Sequence, residues 1–264
     1  MSIQIIAELS MNHMGDDALI EKMIEGAAWS GADFVKFQMW RLENLVPGAW
    51  DTDGRREMYK KSGLNKDRVE FIIKCCEKNK IKFLSSCFNV DDLNFIRHYS
   101  NKIKIPGPEC TNQPLMRKAI DYFDEIFMST GSSDTDEFIR YAVYPKICLM
   151  HCVSVYPCLA ENTNFPRMLH FKKFTENIGY SGHRLGIWDA IAAISLGAQV
   201  VEKHFTIDKN LEFVDNYFSI LPEDLKQIVE YKNDFQLMML DKGLNHQPCE
   251  EKIRGYARRW SKGK

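Results

Sequence analysis

Apolar residues along the chain gather in short unbroken runs, separated by longer stretches with helical periodicity. IQIIAE, DFVKFQ and KICLMHC are typical runs. An unbroken run suits a parallel strand covered on both faces, whereas a half-solvated strand alternates apolar and polar. Taken in order, the runs predict strands over residues 3–8, 33–38, 81–85, 102–106, 125–129, 146–152, 177–180 and 199–204. Between them, residues 18–30 set Leu19, Met23, Ala27 and Ser30 along one helical stripe, and residues 66–79 do the same with Val69, Ile72, Ile73 and Cys76. Residues 134–143 open on Ser and Asp capping chemistry, and residues 186–196 carry Ile187, Ala190, Ile191 and Ile194. SGADFV and SLGAQVV repeat one grammar, in which a glycine stops a helix just before the chain re-enters a strand.

Eight such strand–helix units predict an α/β fold of (β/α)8 TIM-barrel type, one domain over residues 1–264 with a C-terminal tail from roughly 245. An open doubly wound sheet fits less well, because no GxGxxG follows the first strand. The stretch 39–63 is long for a strand-to-helix connection and carries Pro47, Gly48, Asp53 and Gly54. It suits a lid-like loop, with a surface insertion of no function as the alternative.

Composition narrows the class. Of 264 residues, 45% are apolar and 27% charged, enough apolar side chain to offset the entropy of ordering the backbone. Lys and Arg number 35 against 36 Asp and Glu, so no global field attracts nucleic acid or anionic lipid, although a local anion site remains open. No run approaches a membrane span, and the first residues lack the basic flank of a signal peptide. The eight cysteines show no CxxC pair and are expected as reduced thiols in a cytoplasmic protein.

In a barrel of this kind the chemistry sits at the C-terminal ends of the strands. The predicted ends are polar without a packing reason: Glu8; Lys36 and Gln38; Ser85 and Ser86; Lys104; Ser129 and Thr130; His151 and Ser154; Ser181 and His183; Glu202, Lys203 and His204. Lysines and hydroxyls at one rim suit a phosphate and a carboxylate. Two histidines on the last two strands suit one shared divalent metal, and Glu8 or Glu109 suits a general base or a water-orienting group. A lone strand-end histidine is more often structural and a lone lysine solvated, so the case rests on convergence. His98, His170 and His246 fall in helical or loop contexts without a role, and Cys75 and Cys76 read as core. The stretch 252–264 holds six basic residues and no acid, a solvated end.

IIAELSMNHMGD, GADFVKFQ, FLSSCF, KIKIPGPECTNQPL, MSTGSSDTDEF, HCVSVYP, IGYSGHRLGI and GAQVVEKHFTID resemble, in order and spacing, the sialic acid synthase (N-acetylneuraminate synthase) family over about residues 3 to 240. The resemblance implies a transferase that condenses phosphoenolpyruvate with an unphosphorylated aldose, forming a 2-keto-3-deoxy sugar acid of the sialic, legionaminic or pseudaminic kind and releasing phosphate by C–O cleavage. It implies a divalent cofactor, Mn2+ or Mg2+, on His183 and His204. Lys36, Ser129, Ser154 and Ser181 would hold the phosphate, and Lys104 and Ser86 the carboxylate. Glu109 would act as base, Glu8, Gln38, Tyr156 and Asp215 would face the sugar, with Glu8 and Tyr156 counted among the catalytic groups, and Asn12 and His13 would shape the mouth.

Three positions depart from the family pattern. Gly182 stands where the family carries an aspartate between the serine and the metal histidine, which predicts a weaker metal site. Gly107 and Pro108 replace Ser-Gly before Glu109, and Ser154 replaces an asparagine. The sequence also ends near Trp260, where the family's C-terminal antifreeze-like domain would begin, so sugar contacts are expected from barrel loops or a partner chain, with barrel-to-barrel self-association still open. The expected partners are otherwise small molecules. The alternatives are a synthase acting on a phosphorylated aldose, as in the Kdo-phosphate and DAHP synthase group, and a non-catalytic relative that binds phosphoenolpyruvate or a sugar.

Overall fold

A computed structural model describes residues 3–257. Its strands are β1 (Gln4–Ser10), β2 (Phe34–Met39), β3 (Lys82–Cys87), β4 (Lys102–Ile105), β5 (Glu125–Ser129), β6 (Ile147–Cys152), β7 (Ile178–Gly182) and β8 (Val200–His204). They pair in chain order, and β8 closes on β1, Glu8 standing opposite His204, so the sheet is a closed barrel of parallel strands. The predicted TIM barrel is therefore correct, and each predicted strand lies within a few residues of its observed one.

The helices are α1 (Asp17–Trp29), α2 (Arg55–Ser62), α3 (Lys66–Asn79), α4 (Val90–Ile96), α5 (Gln113–Tyr122), α6 (Thr135–Phe138), α7 (Phe165–Phe171), α8 (Trp188–Ser195), α9 (Pro222–Met238) and α10 (Glu251–Ala257). Asp16 caps α1 by accepting from the Leu19 amide, and Asn65 and Asn112 do the same for α3 and α5. Gly31 and Gly197 take φ of +83° and +96°, the left-handed turn their motif predicts. The helix predicted over residues 134–143 is only α6, continued as a 3-10 turn over Ile139–Val143. Ile139, Tyr141 and Val143 are weak helix formers, and the turn tightens there.

Two apolar layers result. The outer one, between strands and helices, takes alternate strand residues such as Ile5, Ala7, Val35, Phe37, Ile103, Ile105, Leu149 and Val201. The inner one plugs the barrel with Ile6, Phe34, Leu84, Phe127, Cys148, Met150 and Val200. This period of two decides which strand-end side chain enters the barrel and which faces a helix. The stretch 39–63 is not a bare loop: it holds two 3-10 turns and α2, and Trp40 stacks between Phe88 and Tyr59 at centroid distances of 4.0 and 4.8 Å. All eight cysteines are free, seven buried and Cys249 exposed. Among the described residues no helix is long and apolar enough to cross a membrane. The tail expected from about 245 carries α10, and residues 258–264 lie outside the described part.

Candidate active site

Above the inner plug, the next inward positions are polar on almost every strand. Glu8 comes from β1, Lys36 from β2, Ser86 from β3, Lys104 from β4, Ser129 from β5, Cys152 from β6, Ser181 from β7 and Glu202 from β8, and all are buried. They line a narrow cavity of about 80 Å³ at the C-terminal end of the barrel, joined by Gln38, Ser154, Tyr156, His183 and His204. Larger grooves lie on the molecule's flanks, such as the one of about 400 Å³ beside Trp40, Arg41 and Phe95, but none gathers comparable chemistry. Eleven of the thirteen residues singled out in the sequence thus meet in one pocket.

Its floor is a set of four charges. Lys36 Nζ lies 2.8 Å from Glu8 Oε2 and 3.5 Å from Glu202 Oε1, and Lys104 Nζ lies 3.6 Å from that same Glu202 oxygen. Lys104 also donates to Ser129 Oγ at 2.7 Å, and Ser181 Oγ donates to Glu202 at 3.2 Å. Burial alone would neutralise Glu202, but Lys104 and Lys36 outweigh it and hold its carboxyl down at about 2. Burial dominates at Glu8 and raises its carboxyl above the usual range despite Lys36. Burial likewise lowers Lys104, while Glu202 and Glu8 together keep Lys36 above its ordinary value. Gln38 donates to Glu8 Oε1 at 2.6 Å, and its own carbonyl accepts from the Trp40 indole at 3.1 Å, which fixes the amide's orientation.

The imidazoles stand above this floor with ring centroids 5.4 Å apart. Burial, reinforced by His204 at His183 and by Lys36 at His204, pulls both to about 3, so both rings are neutral and keep lone pairs. Nδ1 of His183 lies 2.8 Å from the Val153 carbonyl and must donate to it, which leaves Nε2 as the free acceptor. Nδ1 of His204 is buried without a hydrogen bond, 3.7 Å from Asp215 Oδ2. Two neutral imidazoles fit a divalent cation as a two-point anchor. No group of three or more His, Cys, Asp or Glu suited to a metal occurs among the described residues, so oxygens of substrate or water would complete its shell. Half-exposed Tyr156 packs at a tilt against His183 with ring centroids 4.1 Å apart, and buried Phe218 meets His204 edge-on at 4.8 Å.

Two predicted residues are not in the lining. Glu109 sits in the 3-10 turn after β4, where its carboxylate accepts from Asn112 Nδ2 at 2.7 Å, a contact that secures the start of α5 rather than entering the pocket. Asp215 lies behind His204, held by the Ser10 hydroxyl, and burial raises its carboxyl. Asn12 braces the rim by donating to the Phe205 carbonyl and Ser219 Oγ, and His13 packs against Phe37. Of the other polar strand ends, His151 faces the helices and bonds the Thr163 carbonyl at 2.7 Å, and Lys203 pairs with Asp189. A Cβ on Gly107 would fall 2.6 Å from the Gly131 carbonyl, so this corner of the pocket is closed by backbone against backbone. Glu202 is the group whose role the sequence reading left unassigned. Its position two residues before His204 on one strand was the available sign, since both must share a face.

Comparison with known proteins now adds to this geometry. A profile described as the NeuB family matches residues 23–243. The chain belongs to the NeuB family. It is 35% identical to an N,N'-diacetyllegionaminic acid synthase of Campylobacter jejuni over 258 residues, covering 90% of this chain and 77% of that protein. It is 31% identical to an N-acetylneuraminate-9-phosphate synthase of Drosophila melanogaster, covering 89% and 68%. Among solved structures it superposes on an N-acetylneuraminic acid (sialic acid) synthetase from Leptospira borgpetersenii, crystallised with citrate, with a TM-score of 0.86 at 27% identity over 100% of this chain and 94% of that one. The expected enzyme class, a synthase, is thus borne out by this NeuB chain's family.

Proposed function

We propose that this NeuB-family chain condenses phosphoenolpyruvate with an unphosphorylated aldose to give a nonulosonic-type 2-keto-3-deoxy sugar acid, releasing phosphate by C–O cleavage. The observation that carries the reading is the buried floor of two ammonium groups and converging hydroxyls beneath two neutral imidazoles. Lys36 with Ser154 and Ser181 is assigned to the phosphate, and Lys104 with Ser86 to the carboxylate. Ser129, assigned to the phosphate by the family resemblance, accepts a hydrogen bond from Lys104, which supports a place within reach of both ends of the substrate. The orphaned Ser86 hydroxyl is a donor waiting for such an oxygen.

Glu8 is the pocket carboxyl better suited to exchange a proton, because burial raises it above the usual carboxylate range while the lysines hold Glu202 well below. Gln38 orients it, and Tyr156 covers the imidazoles from the solvent side. A divalent cation, Mn2+ or Mg2+, on His183 and His204 would supply Lewis-acid polarisation of the aldehyde. Among the described residues the lining's two lysines, Lys36 and Lys104, are both assigned to phosphoenolpyruvate, and the aldose is taken as unphosphorylated. Free, mostly buried thiols support a reducing, cytoplasmic setting.

The test is phosphate release from phosphoenolpyruvate with Mn2+ and a panel of N-acetylated aldoses, each with and without a terminal phosphate, followed by product mass. Aldose-dependent release with the unphosphorylated sugars supports the proposal. Release confined to the phosphorylated sugars corrects the substrate, and silence across the panel while phosphoenolpyruvate still raises the melting temperature favours a binding protein.

A further inference from the structure

β7 and β8 carry their pocket groups at alternate positions on the inner face: Ser181 and, just past the strand, His183 from β7, Glu202 and His204 from β8. The residues between them, Gly182 and Lys203, stand opposite each other in register and face the helices. Behind that rung sits Asp189, in the first turn of α8 and 3% exposed. Its carboxylate accepts from Lys203 Nζ at 2.9 and 3.0 Å and from the Tyr180 hydroxyl at 3.0 Å. Lys203 Nζ also donates at 2.6 Å to the carbonyl of Arg184, the residue that follows His183. A Cβ on Gly182 would lie 2.4 Å from Asp189 Oδ2 and 2.5 Å from the Tyr180 ring. Glycine is the residue that leaves room for this carboxylate.

We propose that Asp189 is a positioning residue: through Lys203 and the Gly182–Arg184 backbone it sets the His183 imidazole from outside the barrel wall. A plain stabilising ion pair would need neither the bond to Arg184 nor an empty Cβ position beside the histidine. The carboxylate that residue 182 lacks is delivered to the same space by α8, so the expected weakening of the metal pair is offset. The claim about metal rests on the proposed function; the claim about the ring does not.

The experiment compares wild type with Asp189→Asn and with Lys203→Met, which break the path at either end. The readouts are the ring 15N–1H NMR signals of His183 and calorimetric Mn2+ affinity, with His204→Ala as the metal-loss control. Both variants should displace or broaden the His183 signals and weaken Mn2+ about tenfold or more. Wild-type His183 signals in either variant would overturn the proposal. If Asp189→Asn does not fold, Asp189→Leu/Lys203→Met removes both buried charges while keeping the apolar volume. His183 signals displaced in it support the claim, and unchanged ones refute it. Should the wild type itself bind no Mn2+, the metal reading fails and the ring signals still decide this one.

Discussion

Glu202→Gln separates the electrostatic account of the pocket from a simple count of contacts. Glu202 Oε1 lies 3.5 Å from Lys36 Nζ and 3.6 Å from Lys104 Nζ, all three buried. At an effective dielectric of about 20, each attraction is worth about 5 kcal/mol before desolvation is counted. Removing one member of such a buried set costs about 3–5 kcal/mol of stability, or about 10 °C in Tm for a chain of this size. The same change leaves Lys104 without its nearest carboxylate, leaves Lys36 paired to Glu8 alone, and removes a repelling charge beside any bound anion. A tenfold gain in affinity needs only about 1.4 kcal/mol, so inorganic phosphate should bind at least about tenfold more tightly. The assay is calorimetric phosphate binding, paired with thermal melts across a phosphate series. Saturating phosphate should recover part of the lost Tm, by linkage. Phosphate affinity unchanged or weaker in a cooperatively folding variant would refute the idea that Glu202 neutralises the lysines.

Other outcomes follow from the same geometry. Glu8→Gln should lower kcat by about a hundredfold or more, whereas Glu109→Gln, outside the lining, should change it by about twofold at most; the reverse ranking in steady-state kinetics would return Glu109 to the chemistry. His204→Ala should abolish metal-dependent turnover, and wild-type activity that survives exhaustive chelation would remove the metal from the site. His13, held at about 4 by burial and then by Arg68, is neutral when folded, while in the unfolded chain it protonates near the ordinary histidine value of 6.5. Its contribution is therefore complete above about pH 6.5 and lost as pH falls toward about 4, amounting to about 2 kcal/mol by pH 5. Urea unfolding of His13→Asn at pH 7 and pH 5 should show a smaller acid loss than wild type, and an equal loss would sink the assignment.

The barrel was legible because every parallel strand announces itself as an apolar run, both its faces being covered. What the runs leave open is rotation. For residues 18–30 the expected stripe began at Leu19, but the helix buries Ile20, Met23, Ile24 and Ala27, one position round toward the sheet. The strand ends show the same gap. His151 and His204 look alike in sequence, yet Leu149 belongs to the outer layer and Val200 to the inner, so His151 turns to the helices and His204 to the pocket. Counting by two from the plug would have sorted them, and would have set Glu202 beside His204. Glu109 was a different case. It follows β4 in a turn whose direction is set by Asn112 and by the close approach of Gly107 to Gly131, contacts distant enough in the chain that no local pattern encodes them.

The floor also explains why two carboxylates belong in a pocket read as a site for an anion. Bare ammonium groups at the depth of Lys36 and Lys104, about 3% exposed, would carry a desolvation cost of several kcal/mol each, and the empty barrel would hold them poorly. Glu8 and Glu202 supply the missing countercharge but are not equivalent. Glu202 touches both lysines and stays ionised, while Glu8 touches Lys36 alone and is pushed toward neutrality by burial. An arriving anion adds negative charge beside both, and a proton taken up from solvent in response settles on Glu8, the carboxyl that burial already makes easier to protonate. On the proposed function, anion binding and the arming of Glu8 as a proton donor are then one event, with Glu202 as the fixed charge between the lysines.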